Sequence, residues 1–222
     1  MERKGYSEEM AELKKMNLDM GYKAVSAVKF AAQALLENNL EIAAQVRSLE
    51  KEVDLLYEEV DDRCVAFIAT QQPMARDLRF LVSTIKIATE IERITDYANN
   101  IAKKVQKKFS QEDVTPLESL KPATDMMIRE AVSMLAEALH CYKENDAELA
   151  KLITERDAVV NRLNKELFRG TVAMVAVNPY ANELAMDFHT TLRYIERVAD
   201  RSVKIAELVY YEVTGDRFSD KK

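Results

Sequence analysis

Glycine and proline number four each in 222 residues, cysteine and histidine two each, and tryptophan is absent. Each scarcity excludes something. So few glycines leave no Gly-rich loop to cradle a phosphate or a dinucleotide. With few helix breakers and abundant Ala, Leu, Glu, Lys and Met, an all-α fold is expected. Cys64 and Cys141 stand alone inside helical patterns, so neither a disulfide framework nor a thiolate metal site is indicated. A reducing cytoplasm is the expected compartment. No Ser or Cys sits in a strand–turn–helix context, and the single Glu-x-x-His, Glu137 to His140, lacks the second copy that di-iron bundles carry. Catalytic turnover is therefore not expected. A net charge of −6 argues against a nucleic-acid partner. The opening MERKGYSEEM is too polar for a signal peptide, and no apolar run approaches a membrane span. The chain is expected to be peripheral to a membrane at most.

What is present is a repeat. IERITDYANNIA, from Ile91 to Ala102, returns as IERVADRSVKIA, from Ile195 to Ala206, with six of twelve positions identical. Both copies carry a Glu and an Asp four residues apart, Glu92/Asp96 and Glu196/Asp200. On a helix that spacing sets two carboxylates side by side on one face, where like charges repel. Leu81, Ile85 and Ala88 run down the same stripe before it turns into Glu92, Asp96, Asn99 and Asn100. A stripe that changes from apolar to oxygen-bearing faces something polar: a metal ion, a water pocket or a partner's basic patch.

Taken in order, the first helix is expected from Ser7, as N-cap, to Glu37. In ENNLEIA, Asn38 as cap and Glu41 three residues later predict the next start. The second helix has its seam at Val46, Val53, Val60 and Phe67, beside a stripe of Glu50, Asp54, Glu58 and Asp61. That stripe reads as a solvated acidic face alone, and as a second wall of a metal site beside Glu92 and Asp96. Gln72-Pro73 ends it, and a third helix is expected from Pro73 to Phe109. After the linker SQEDVTPLESLKP, where Thr115 caps a fourth helix, four landmarks return at a nearly constant offset: ENDAELA, Asp157, Asn178-Pro179 and the Glu–Asp pair; the tail after Gly215 is expected to fray. Two tandem three-helix bundles follow, residues 1–110 and 111–222, six long antiparallel helices in all.

Oxygen-rich ligand sets suit hard cations. His189 is on the face of Glu196 and could add an imidazole, though a satisfied boundary histidine is the simpler reading. ERITDYANNIA and ERVADRSVKIA resemble the paired Glu/Asp-x-x-x-Asp motifs of the PhoU family, and QQPMARDLRFLVSTIKIATEIERITD, Gln71 to Asp96, is similar to its most recognisable stretch. The resemblance covers essentially the whole chain. It implies two three-helix bundles, a homodimer, and metal, iron above all, with zinc, manganese or magnesium as alternatives. The ligands it implies are Glu92, Asp96, Glu196 and Asp200, then Asp54 and Asp77 in the first half and Asp157 in the second. It further implies a negative regulator of phosphate uptake and phosphate-starvation signalling, contacting the phosphate ABC transporter and a phosphate-sensing histidine kinase. Two departures stand out. The His that often follows the motif Asp is Tyr97 in one copy and Arg201 in the other, and the second half has ANEL where the first has RDLR. The alternatives are a carboxylate-bridged metalloenzyme, and a metal-free adaptor whose acidic faces meet a partner's Lys and Arg.

Overall fold

A computed structural model describes residues 2–218, the first three of these by backbone alone. Six α-helices make up nearly all of it: α1 (Glu2–Glu37), α2 (Leu40–Gln71), α3 (Ala75–Lys104), α4 (Lys121–Glu144), α5 (Ala147–Val177) and α6 (Asn182–Thr214). The first three pack on one another, as do the last three, while α3 lies along α6 and α1 against α4. The core is built from small and flexible residues. Leu13, Met20, Ala24, Ala27 and Ala31 of α1 are fully buried, as are Met127, Ala131, Met134, Leu135 and Ala138 of α4. Alanines at the contact let helix axes approach closely, and methionines fill the remaining irregular gaps. Among the described residues no helix is long and apolar enough to cross a membrane.

The turns divide their work between adjacent residues. Asn38 takes the left-handed conformation (φ 52°) and donates its amide to the Phe109 carbonyl at 3.0 Å. Asn39 is the true N-cap of α2, its Oδ1 accepting from the amides of Glu41 and Ile42 at 3.0 and 3.1 Å. The cap therefore lies one residue later than the sequence pattern predicts, because the first Asn is needed for the positive φ. Asn145 (φ 55°) and Asp146 repeat the device before α5, Asp146 accepting from Glu148 and Leu149.

Other boundaries also move. Helix α1 starts at Glu2 rather than Ser7. Tyr6 explains this, since its ring packs edge-on against Phe67 at 4.8 Å and its hydroxyl donates to Asp77 Oδ2 at 2.9 Å. Tertiary contact thus carries the helix past a local stop signal. Helix α3 begins at Ala75, and Val105–Phe109 forms a π-helical turn instead of its last α-turn. The wider turn buries both Val105 and Phe109. Thr115–Leu120 is a 3-10 helix, with α4 starting at Lys121. Glu118 pairs with Lys121 at 2.6 Å instead of closing a capping box. Gly215 (φ 86°) ends α6 in the conformation glycine adopts without strain. The tail is packed at least to Phe218, whose ring meets Tyr210 edge-on at 5.4 Å. Residues 219–222 of the expected frayed end lie outside the described residues.

Helices α3 and α6 run antiparallel in constant register. Arg79 donates Nε to the carbonyl of Glu212 at 3.1 Å, and Glu90 pairs with Arg201 at 3.0 Å. Tyr97 stacks on Tyr194 with centroids 6.0 Å apart, and Lys104 pairs with Asp187. One helix climbs from Arg79 to Lys104 while its partner descends from Glu212 to Asp187 by the same number of residues. The offset that carries Glu92 onto Glu196 also carries Glu90 onto Tyr194 and Tyr97 onto Arg201. Symmetry-related positions are thus filled by an ion pair on one side and an aromatic stack on the other.

Candidate metal centre

The first acidic cluster lies between α2 and α3. Ile91, Ile94, Ala98 and Ile101 of α3 are buried, and that fixes the helix's rotation. Glu92 then comes out half-buried toward α2, with Asp96 one turn further on, while Glu50 and Asp54 face them from α2. Burial and mutual repulsion act together. Asp54 is pushed above the usual carboxylate range by burial first, then by Glu50, Asp96 and Glu58. Glu92 is raised by burial, then by Asp96 and Asp54, against a weaker pull from Arg93. Asp96 is raised by burial and Glu50, with Lys103 opposing. The nearly buried Asn99 donates its amide to Glu50 Oε1. No other cation is among the groups that shift these carboxyls.

The second cluster lies between α5 and α6. Asp157 and Asp200 are close enough to share a hydrogen bond. Asp157 is raised by burial and by the charge of Asp200, and Asn161 offsets part of this by donating to its Oδ2 at 2.6 Å. Asp200 is raised by burial and Glu196, and is pulled back by Arg201 and Arg197. Lys204, spaced to help Asp200, instead pairs with Glu207 at 2.6 Å. Arg201 is shared with Glu90, and Arg197 lies over the Tyr97 ring. Buried atoms on the α5 and α6 side with no hydrogen-bond partner among the described residues include Asp157 Oδ1, Asn164 Oδ1, His189 Nδ1 and Arg201 Nε. The His189 ring leans on Phe168 at 5.0 Å.

These donors fit a multivalent cation. Carboxylates that raise one another's proton affinity, beside orphaned buried oxygens and an orphaned imidazole nitrogen, have the electrostatic demand that a hard ion meets. The ligand oxygens of neither cluster have closed around a point. Among the described residues, the trio with ligand atoms all within 4.8 Å of one another is Glu112, Glu183 and Asp187. Lys104 and Lys108 already pair with two of the three, Asp187 and Glu183.

The family model described as "PhoU domain" matches residues 18–105 and again 124–209. The chain belongs to the PhoU family. A Synechocystis protein named phosphate-specific transport system accessory protein PhoU homolog is 30% identical over 216 residues, 97% of this chain and 94% of that one. Its Zymomonas mobilis namesake is 29% identical, covering 98% and 90%. The crystal structure of PhoU from Pseudomonas aeruginosa superposes with a TM-score of 0.90 at 28% identity, over 95% of this chain and 100% of that one. That of the phosphate transport system regulatory protein PhoU from Streptococcus pneumoniae, 23% identical, shares the fold with a TM-score of 0.82.

Within this PhoU chain the structure gathers Glu92, Asp96 and Asp54 on one side, and Glu196, Asp200 and Asp157 on the other. Asp77 does not join them. It lies about 22 Å along α3 from Glu92, given the rise of a helix, and accepts from Tyr6 instead. Of the α2 acidic stripe, Glu50 belongs to the first cluster as fully as Asp54, whereas Asp61 has turned toward Cys64. Sequence reasoning missed Glu212, which is nearly buried on α6. A signal existed: Ile205 and Val209 lead into Glu212 by the same apolar-to-acidic stripe that singles out Glu92.

Proposed function

We propose that this protein is a regulatory accessory of phosphate transport that acts by protein contact and not by turnover. Its partners are the phosphate ABC transporter and a phosphate-sensing histidine kinase, and its effect is negative regulation of uptake and starvation signalling. One observation carries the reading. The family-defining segments place two equivalent carboxylate clusters on the helices that join the halves, with no nucleophile–base pair beside either among the described residues. Glu50, Asp54, Glu92 and Asp96 would hold one metal centre; Asp157, Glu196 and Asp200 would hold the other. A bound hard cation, iron first among the candidates, would supply positive charge that cross-links α2 to α3 and α5 to α6. These residues themselves keep the facing helix surfaces acidic.

The test is genetic and physical together. Deleting the gene is expected to derepress phosphate-starvation transcription while phosphate is plentiful. Native protein purified without chelator is expected to carry stoichiometric metal and to capture transporter and kinase from phosphate-replete cells. An unchanged transcriptional response would overturn the regulatory reading, and metal-free native protein would overturn the metal centres.

A further inference from the structure

The segment Ala75 to Arg79, so prominent in the sequence, does not reach the acidic clusters. Its side chains serve the opposite end of the bundle, where α1, α3, α4 and α6 meet. A cavity of about 330 Å³ opens there, lined by Lys14, Arg76, Asp77, Phe80, Asn145 and Glu212 among others. Glu212 is only 9% exposed, and its Oε2 hydrogen-bonds to nothing among the described residues. Asp77 differs. Its carboxylate accepts from Tyr6 and sits in the first turn of α3, where the helix dipole favours a negative charge.

The cations have charge to spare. Lys14 donates to Asn145 Oδ1 at 2.8 Å and lies 5.2 Å over the Tyr142 ring, with no carboxylate bonded to it. Arg76 is exposed and makes no ion pair among the described residues. Arg79 spends its Nε on the Glu212 carbonyl. An incoming cation would sit beside Lys14 and Arg76 and be repelled. An oxyanion would find two unpaired cations and, at Glu212, a carboxyl able to donate its proton in a hydrogen bond.

We propose that this cavity binds a small oxyanion, a carboxylate or a phosphate-type group, held by Lys14 and Arg76 with Glu212 entering as the neutral acid. Burial pushes Glu212 up to about 7 against the opposing charges of Lys14, Arg79 and Arg76. Its proton is therefore at hand near neutrality. From α4, Tyr142 and Cys141 face it as neutral groups, and Glu144 acts on it only through Lys14. The repeat does not duplicate this site. The positions equivalent to Arg76, Asp77 and Glu212 are Tyr180, Ala181 and Lys108, and Lys108 is paired with Glu183 at 2.9 Å.

Calorimetric titration of the full chain with inorganic phosphate, sulfate and butyrate, at constant ionic strength, tests the site. Measurements one pH unit either side of neutrality bracket Glu212, and sulfate and butyrate do not themselves titrate there. At least one anion is expected to bind more tightly on the acid side, with proton uptake seen as a buffer-dependent heat. Whether butyrate or the tetrahedral anions win tells the two sources apart. Arg76→Ala, on an exposed side chain, is expected to weaken binding about tenfold or more. Glu212→Gln keeps a donor and is expected to bind sulfate or butyrate with no pH dependence. Arg129→Ala, remote on α4, is expected to change nothing. No binding of any of the three up to about 20 mM, undiminished binding by Arg76→Ala, or an unchanged pH profile in folded Glu212→Gln would each overturn the proposal.

Discussion

Folding strips the Glu212 carboxyl of water without giving its Oε2 a hydrogen-bond partner, so the folded chain holds that proton more tightly than the unfolded one. The ordinary value of 4.5 rises to about 7. A raised acid contributes stability that is fully present below its unfolded value and is lost as pH climbs through the folded one. Asp54, Glu92, Asp96, Asp157 and Asp200 are shifted the same way. The metal-free protein is therefore expected to melt at lower temperature as pH rises from about 5 to 8, with Glu212→Gln flattening part of that slope. Melting curves recorded in chelator check it; a melting temperature that rises with pH would contradict the assignment. Two glycines offer a sharper steric contrast. A Cβ on Gly21 would fall 2.4 Å from Cδ2 of Leu139, which is wholly buried and cannot swing away. Gly21→Ala is expected to cost about 1–3 kcal/mol from overpacking, less about 1 kcal/mol regained in helix propensity. At Gly170 the clash is with the half-buried Leu120, at 2.6 Å, and that side chain can move. Gly170→Ala is expected to be neutral or to stabilise by up to about 1 kcal/mol. Urea unfolding of the two variants decides both.

At the scale of elements, the six helices and their duplicated order were legible because hydrophobic spacing and breaker residues act locally. The two acidic stripes were legible for the same reason: carboxylates at i, i+4 on an apolar seam are visible in one dimension. Helix ends were not. Asn38 and Asn39 are chemically alike, and only the chain's direction at the turn decides which one caps. Ser7 is a good cap overruled by the packing of Tyr6 on Phe67. Asp77 is a ligand only as the family resemblance implies it, and a straight helix carries it far from Glu92. The local charge balance is not legible from spacing alone: Arg197 relieves Asp200 and Lys103 acts on Asp96, but Lys204, spaced to help Asp200, is committed to Glu207. The balance still leaves the first cluster with four carboxylates and little relief, against three in the second with two arginines nearby. Glu92→Gln/Asp96→Asn is therefore expected to lose more metal, and more of the melting temperature that chelation removes, than Glu196→Gln/Asp200→Asn. Metal analysis of both double variants checks it, and equal losses would show that the local charge balance does not rank the two sites.

The whole molecule is held together by the register of α3 against α6, and that register discriminates. Consider either half docked on a copy of itself in the same geometry. Lys108, which meets Glu183 at 2.9 Å, would then face the equivalent of Glu183 in its own half, which is Arg79. Cation would meet cation. In a pair of second halves, Glu183 would face Glu212, and anion would meet anion. The Glu90–Arg201 pair would also be lost, Glu90 facing Tyr97 in one self-pairing and Arg201 facing Tyr194 in the other. Like charges directly opposed are costly where the alternative is a paired one. A chain cut within the Ser110–Val114 linker is therefore expected to reassemble as one first half with one second half, seen by mass after size exclusion, with little of either self-pair. Duplication has here produced two units alike in shape, each of which refuses its own copy and accepts only the other: siblings that can marry only into the opposite line.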